Sequence, residues 1–215
     1  MGRLYDATWG RAFAAMYDRG LSATEENGLR ALRAELLAGA RGEVVELGAG
    51  TGANLGLYPE EVASLTLVEP DRDMAKRLRA KAASAEVVAD LVEAPGEALP
   101  FADGSFDTAV ATLVLCTVPS PEETLAELAR VLRPGGRLLY IEHVRPSDAG
   151  LARWQDRLEG PWKFFADGCR CNRDTVATMN ASRFAVDSAT NAKMPKAPSI
   201  VRPLVHGTAT LTIEG

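Results

Sequence analysis

Apolar and polar positions change period along this chain, and each change marks an element. Glu25 to Leu37 carries Leu29, Leu32, Leu36 and Leu37 at helical spacing, which predicts an amphipathic helix. Glu43 to Leu47 is short and β-branched, as a buried strand is, and it stops at glycines. Leu65 to Val68 then predicts a strand, Asp71 to Ala83 a helix, and Val87 to Ala89 a weak strand. The apolar run Phe106 to Leu115 predicts a central strand covered on both faces. Ser120 as N-cap, Pro121 at the first helical position and Glu123 completing a capping box open the next helix. That helix is expected to end at Leu132, where Arg133-Pro134-Gly135-Gly136 makes the stop and the turn, and Arg137 to Val144 follows as a strand.

The last third has another texture. Arg145 to Cys171 scatters Trp154, Trp162, Phe164 and Phe165 among polar residues without a clean period, and reads as a mostly helical insertion. Asn172 is expected to cap a helix through Ser182. Phe184 to Thr190 and Leu204 to Ile213 read as two strands, with Pro195, Pro198 and Pro203 breaking the stretch between them. Strands alternating with helices imply parallel pairing with right-handed crossovers, a doubly wound α/β sheet. An antiparallel pair at the C-terminal end makes it a mixed sheet.

Composition narrows the class. The 215 residues suit one domain with a sizeable core. At 47% hydrophobic and 25% charged the chain is an ordinary globular one, and its net charge of -5 argues against a nucleic-acid backbone as partner. Arg3, Asp6 and Arg11 interrupt any early apolar core, so no signal peptide is expected. No run approaches the ~18 apolar residues of a membrane span. A cytoplasmic location is the expectation. The three cysteines are an odd number, and Cys169-x-Cys171 lacks partners at ligand spacing, so neither a disulfide framework nor a metal is expected. Cys116, after an apolar strand, reads as a buried small hydrophobe.

The candidate chemistry begins at Val44-Val45-Glu46-Leu47-Gly48-Ala49-Gly50-Thr51-Gly52, which runs from a strand into a turn before an expected helix at Ala53. Glycines let a backbone turn tightly and approach a ligand with no Cβ in the way. The spacing G-x-G-x-G is one residue shorter than the dinucleotide fingerprint. The acidic Glu46 beside it suits a cationic ligand end such as an ammonium. Glu69, at the end of the next strand and 17 residues after Gly52, stands where an acid accepts the ribose hydroxyls of an adenosine. A plain strand-to-helix turn with a solubilising Glu69 is the bland alternative.

These residues carry a resemblance. Glu46 to Gly52 resembles motif I of class I S-adenosylmethionine-dependent methyltransferases, and Glu69-Pro70 resembles their ribose-binding acid and its neighbour. Gly96-Glu97-Ala98-Leu99-Pro100-Phe101 and Asp103-Gly104-Ser105-Phe106-Asp107 resemble the third and fourth motifs, and residues 130 to 136 the turn before strand five. A narrower set is similar to the methyltransferase-like thiol S-methyltransferases: Gly50-Thr51-Gly52-Ala53-Asn54, Tyr58-Pro59, Pro95-Gly96-Glu97, Thr112-Leu113-Val114-Leu115-Cys116, Glu142-His143-Val144 and Asp167-Gly168-Cys169. Ubiquinone/menaquinone and phospholipid methyltransferases are similar as well. Two departures stand out: no counterpart of the hydrophobic N-terminal anchor of the vertebrate members is expected here, and Pro95 stands where many class I members put an Asp two residues before the third-motif glutamate.

The resemblance implies a Rossmann-like fold with a seven-stranded mixed sheet. It divides the chain into a helical cap (1–40), a cofactor-binding half (41–144), a substrate-lid insertion (145–182) and C-terminal strands (183–215). It also implies S-adenosyl-L-methionine as cofactor and S-adenosyl-L-homocysteine as product. The cofactor residues it points to are Tyr17, Glu46, Leu47, Gly48, Ala49, Gly50, Gly52, Asn54, Glu69, Pro70, Gly96, Glu97, Ala98, Thr112 and Leu113. The acceptor is expected to be a small lipophilic molecule, a thiol ahead of an oxygen or nitrogen nucleophile. A nicotinamide oxidoreductase and a catalytically silent cofactor-binding module remain as alternatives.

Methyl transfer from a sulfonium needs the acceptor held about 3 Å from the methyl carbon with water excluded. A thiol acceptor works as thiolate, so a base or a positive field must favour that form. The base candidates are His143 at the end of strand five, Asp167 and His206, each of which has a structural reading beside the catalytic one. Trp162, Phe165 and Cys169 are the candidates for the acceptor pocket.

Overall fold

The computed structural model describes residues 19–212, so Tyr17 and the C-terminal end of the last expected strand lie outside the described residues. Its strands are β1 (Gly42–Leu47), β2 (Val62–Val68), β3 (Asp90–Val92), β4 (Phe106–Thr112), β5 (Leu132–His143), β6 (Phe184–Lys193) and β7 (Pro203–Leu211). They form one seven-stranded sheet in the order β3-β2-β1-β4-β5-β7-β6. Pairings are parallel from β3 to β5 and antiparallel for β5–β7 and β7–β6. This is the doubly wound mixed sheet that the alternating pattern implies.

The helices are α1 (Arg30–Leu37), α2 (Arg72–Ser84), α3 (Pro121–Val131), α4 (Ala149–Phe165) and α5 (Thr175–Asn180). Successive residues of the middle strands feed opposite faces. Val45, Leu138 and Tyr140 join a core with Leu125 and Leu128 of α3, while Val44, Leu139 and Ile141 join another with Leu36 and Leu37 of α1 and Leu78 of α2. A strand buried on both faces has no polar face to show, which explains its unbroken apolar sequence.

Several local expectations shift. The expected amphipathic helix is broken: Glu25–Leu29, which leads into α1, is a π-helical segment with Gly28 at φ 135° inside it. No helix starts at Ala53; residues 50–56 are turns closed by Gly56 at φ 72°. The weak strand lies at Asp90–Val92 rather than Val87 to Ala89, and Val88 is exposed. β4 stops at Thr112 because Leu113 adopts φ 64° and turns the chain out of the sheet.

Helix caps are also redistributed. Ser120 accepts from the Glu123 N–H at 3.2 Å, but its own N–H donates to Glu97 Oε1, so a distant glutamate replaces the second half of the capping box. Helix α5 is capped by Asp174, which accepts from the Ala177 N–H, while Asn172 donates to Asp156 and Glu159 instead. The 133–136 turn sits inside β5 as an irregularity, pairing moving from Phe106–Leu132 to Thr108–Arg137.

Candidate active site

Strand order reverses at β1, whose neighbours β2 and β4 lead away in opposite directions. Open α/β sheets bind ligands in the crevice at such a reversal, outside the strands' carboxyl ends. A cavity of about 810 Å³ opens there. The end of β1 supplies Leu47, Gly48 and Gly50 to its wall, and the end of β2 supplies Glu69 and Pro70. Gly96, Glu97 and Leu113 close one side. His143, Trp162, Phe165, Asp167 and Cys169 line the other.

The two glycines differ in what they permit. A Cβ on Gly48 would lie 2.7 Å from Val114 Cγ2, so packing excludes a side chain. A Cβ on Gly50 would meet only the Gly48 carbonyl at 4.0 Å, so this backbone, at φ 58°, leaves an open cradle for a ligand. Gly52 does not line the cavity; a Cβ there would strike Leu55 and Leu78.

Glu69 faces this cradle. Its Oε2 accepts from the Gly50 N–H at 2.8 Å and its Oε1 from the Asp71 N–H at 2.9 Å. Each carboxylate oxygen has a second lone pair, so acceptor capacity remains for two hydroxyl donors. Burial raises its pKa, opposed by these two amides. Asp167, at φ 46° before Gly168, lies near enough for its charge to raise that carboxyl further.

Behind the glycine loop is a buried polar cluster. Glu46 accepts from Asn54 Nδ2 at 2.9 Å and from the Tyr58 hydroxyl at 2.5 Å, and burial pushes its pKa up to about 7. Asn54 also donates to the Thr112 hydroxyl. Arg33, only 2% exposed, donates to Asn54 Oδ1 and Thr112 Oγ1 and pairs with Glu25 at 3.0 Å. Glu46, Asn54 and Thr112 thus stand behind the cavity wall, tying the helix before β1 to the loops after β1 and β4. Ala49 and Ala98 do not line the cavity either.

The loop after β4 depends on Glu142 and Arg173, and the sequence assigned a role to neither of these nor to Arg33. Glu142, fully buried, accepts three consecutive backbone N–H groups: Val114 at 3.0 Å and Leu115 at 2.8 Å on Oε1, and Cys116 at 3.1 Å on Oε2. Burial raises its pKa to about 7 against the pull of those amides. Arg173 donates to the carbonyls of Leu115 and Val118 from the other side. The signal for Glu142 was an acid inside an otherwise apolar strand. For Arg33 it was a charge on the apolar face of its helix, between Leu29 and Leu36.

His143 is 7% exposed, and its Nδ1 is buried without a hydrogen-bond partner. Burial lowers its pKa to about 4, so the ring is neutral at pH 7. The Trp162 indole nitrogen beside the cavity is likewise unpartnered. Cys169 Sγ lies 4.0 Å from Cys116 Sγ. His206 stands apart: on β7 it pairs across to Ile141 and Thr190 and does not line the cavity.

A family model described as a methyltransferase domain matches residues 45–140, which run from the glycine loop into β5. Human thiol S-methyltransferase TMT1A is 34% identical over 170 residues, covering 77% of this chain and 69% of that protein. The chain belongs to the S-adenosylmethionine-dependent methyltransferases. Its cofactor is accordingly S-adenosylmethionine, and nothing in the geometry favours the nicotinamide reading. Human TMT1B is 41% identical over 146 residues, which cover 66% of this methyltransferase and 59% of the human protein, so the chain spans about three fifths of that relative's length. The fold is also that of the geranyl diphosphate C-methyltransferase from Streptomyces coelicolor, solved with Mg2+, geranyl diphosphate and S-adenosyl-L-homocysteine. The two agree with a TM-score of 0.69 at 15% identity, over 92% of this chain and 86% of that one. His143, Trp162 and Cys169 lie beyond the matched domain. Among the described residues no helix is long and apolar enough to cross a membrane.

Proposed function

We propose that this methyltransferase transfers the methyl group of S-adenosylmethionine to a small lipophilic thiol. The observation that carries the reading is the cavity, one space that runs from the Gly50 cradle and Glu69 to His143, Trp162 and Cys169. Cofactor and acceptor can meet inside it. Its far side is mainly apolar, with Met194, Ala197 and Val201 joining the aromatic residues around His143, Asp167 and Lys196, and the likeness to the two human thiol S-methyltransferases supports sulfur as the nucleophile.

Glu69 accepts the ribose hydroxyls on its remaining lone pairs, the Gly48–Gly50 backbone takes the amino-acid end, and Gly96, Glu97 and Leu113 flank the adenine. Glu46, Asn54 and Thr112 hold that wall in place from behind. When bound, the cofactor supplies an electrophilic methyl group on a sulfonium. His143 accepts the acceptor's S–H at Nδ1 and orients the sulfur. Full ionisation of a thiol of pKa about 8.5 by a histidine at about 4 is uphill by roughly 6 kcal/mol. The proton therefore passes to His143 Nδ1 only as the carbon–sulfur bond forms, and His143 aligns the thiol more than it ionises it beforehand. Trp162 and Phe165 exclude water around the sulfur.

The test is methyl transfer from labelled S-adenosylmethionine to a panel of lipophilic thiols, phenols and amines. Transfer concentrated on the thiols is expected. Transfer to phenols or amines with none to any thiol would overturn the sulfur assignment.

A further inference from the structure

Cys116 and Cys169 come from segments 53 residues apart, yet their sulfurs lie 4.0 Å from each other on the cavity wall. Both backbones are already held. Cys116 donates its N–H to Glu142, its carbonyl accepts from Arg170 N at 2.8 Å, and Cys169 N donates to Ala166 O. That bond between the two loops holds the neighbouring backbones together, and a shift of about 2 Å between the sulfurs closes the remaining gap to a disulfide bond length. Cys171, by contrast, is buried outside the cavity lining.

We propose that Cys116 and Cys169 are an oxidation-sensitive pair that hydrogen peroxide closes into a disulfide across the acceptor wall of the cavity. The Cys169 thiolate attacks peroxide, breaking the O–O bond to give a sulfenic acid and hydroxide. The Cys116 thiol then displaces the sulfenic oxygen as water, so two thiols and one peroxide yield one disulfide and two waters. The roles follow from the surroundings. The contact with Cys116 and the Arg173 charge draw the Cys169 pKa down against burial and the Glu142 charge. Cys116 is raised by that same interaction and by burial, which suits a resolving thiol. Burial pushes Cys171 up to about 12, away from thiolate chemistry. The bond clamps the loop after α4 onto the loop after β4 and leaves Gly50 and Glu69 untouched.

The test is peroxide treatment of the whole protein, read by alkylation of free thiols and by peptide mapping without reductant. Cleavage after Arg170 separates Cys169 from Cys171, so the linkage is unambiguous. The free thiols, three at the start, should fall to one. A Cys116–Cys169 cross-link should appear, persist in Cys171→Ser, vanish in Cys169→Ser and reverse with dithiothreitol, while S-adenosylhomocysteine still binds. A cross-link through Cys171, a wild type that keeps three free thiols, or over-oxidation of Cys169 with Cys116 still alkylated would each overturn the proposal. Loss of S-adenosylhomocysteine binding on oxidation would overturn its restriction to the acceptor wall.

Discussion

Up to Glu142, every buried polar side-chain atom among the described residues has a partner, whereas from His143 onward four have none: His143 Nδ1, Gln155 Oε1, Trp162 Nε1 and Thr175 Oγ1. The first region closes its polar valences internally, Glu46, Glu69 and Glu142 each being met by two or more donors. Two of the residues that carry these unpartnered atoms, His143 and Trp162, line the cavity, and the region exposes Trp154 (56%), Phe164 (41%) and Phe165 (59%) on α4. A preformed, satisfied wall suits a fixed ligand such as a cofactor. An apolar wall with spare hydrogen-bonding groups suits a variable acceptor, which supplies the missing partners on arrival.

Breaking the satisfied side should have the largest effect. Glu142→Ala strands three buried N–H groups, each costing about 1–3 kcal/mol, so urea denaturation should show a loss of several kcal/mol. A change under about 1 kcal/mol would mean the loop after β4 is held otherwise.

The pH dependence is smaller and runs against habit. An unfolded glutamate ionises near its ordinary 4.5, while Glu46 and Glu142 keep their proton to about 7. The unfolded state therefore releases protons first. The contribution is fully present below about 4.5 and lost as pH rises through about 7, up to about 3 kcal/mol per group. Denaturation midpoints across that window should fall in wild type and fall less in Glu46→Gln. A flat profile would put both carboxyls in contact with water.

On the open side, Phe165→Ala should leave stability within about 0.5 kcal/mol and raise KM for a lipophilic acceptor while KM for the cofactor holds. A matching rise in the cofactor KM would merge the two regions.

The same contrast governs what the chain's pattern reveals. The alternation of strands and helices and the glycine cradle are legible because they rest on neighbours in sequence: the β-branched run before Gly48, the spacing of Gly48 and Gly50, and Glu69 ending the next strand. What was hidden depends on partners far away. The apolar run from Phe106 predicts a strand through Leu115, but Leu113 turns the chain out of the sheet and Glu142, 27 residues beyond Leu115, takes the Leu115 amide. Glu46 beside a ligand loop suggests an ammonium partner, while the fold gives its oxygens to Asn54 and Tyr58. Ser120 and Glu123 spell a capping box that Glu97 completes instead. Among the base candidates, His143 and Asp167 reach the cavity and His206 does not, a difference set by β5–β7 register that no local period encodes.

The most direct test of the division between a built cofactor wall and an open acceptor wall is calorimetric titration of S-adenosylhomocysteine into wild type, Glu69→Ala and His143→Ala. Removing Glu69 takes away charge-assisted hydrogen bonds of about 1.5–3 kcal/mol each, so binding should weaken by about tenfold or more, while His143→Ala binds as wild type does. Equal affinity for wild type and Glu69→Ala, or a loss confined to His143→Ala, would contradict the account.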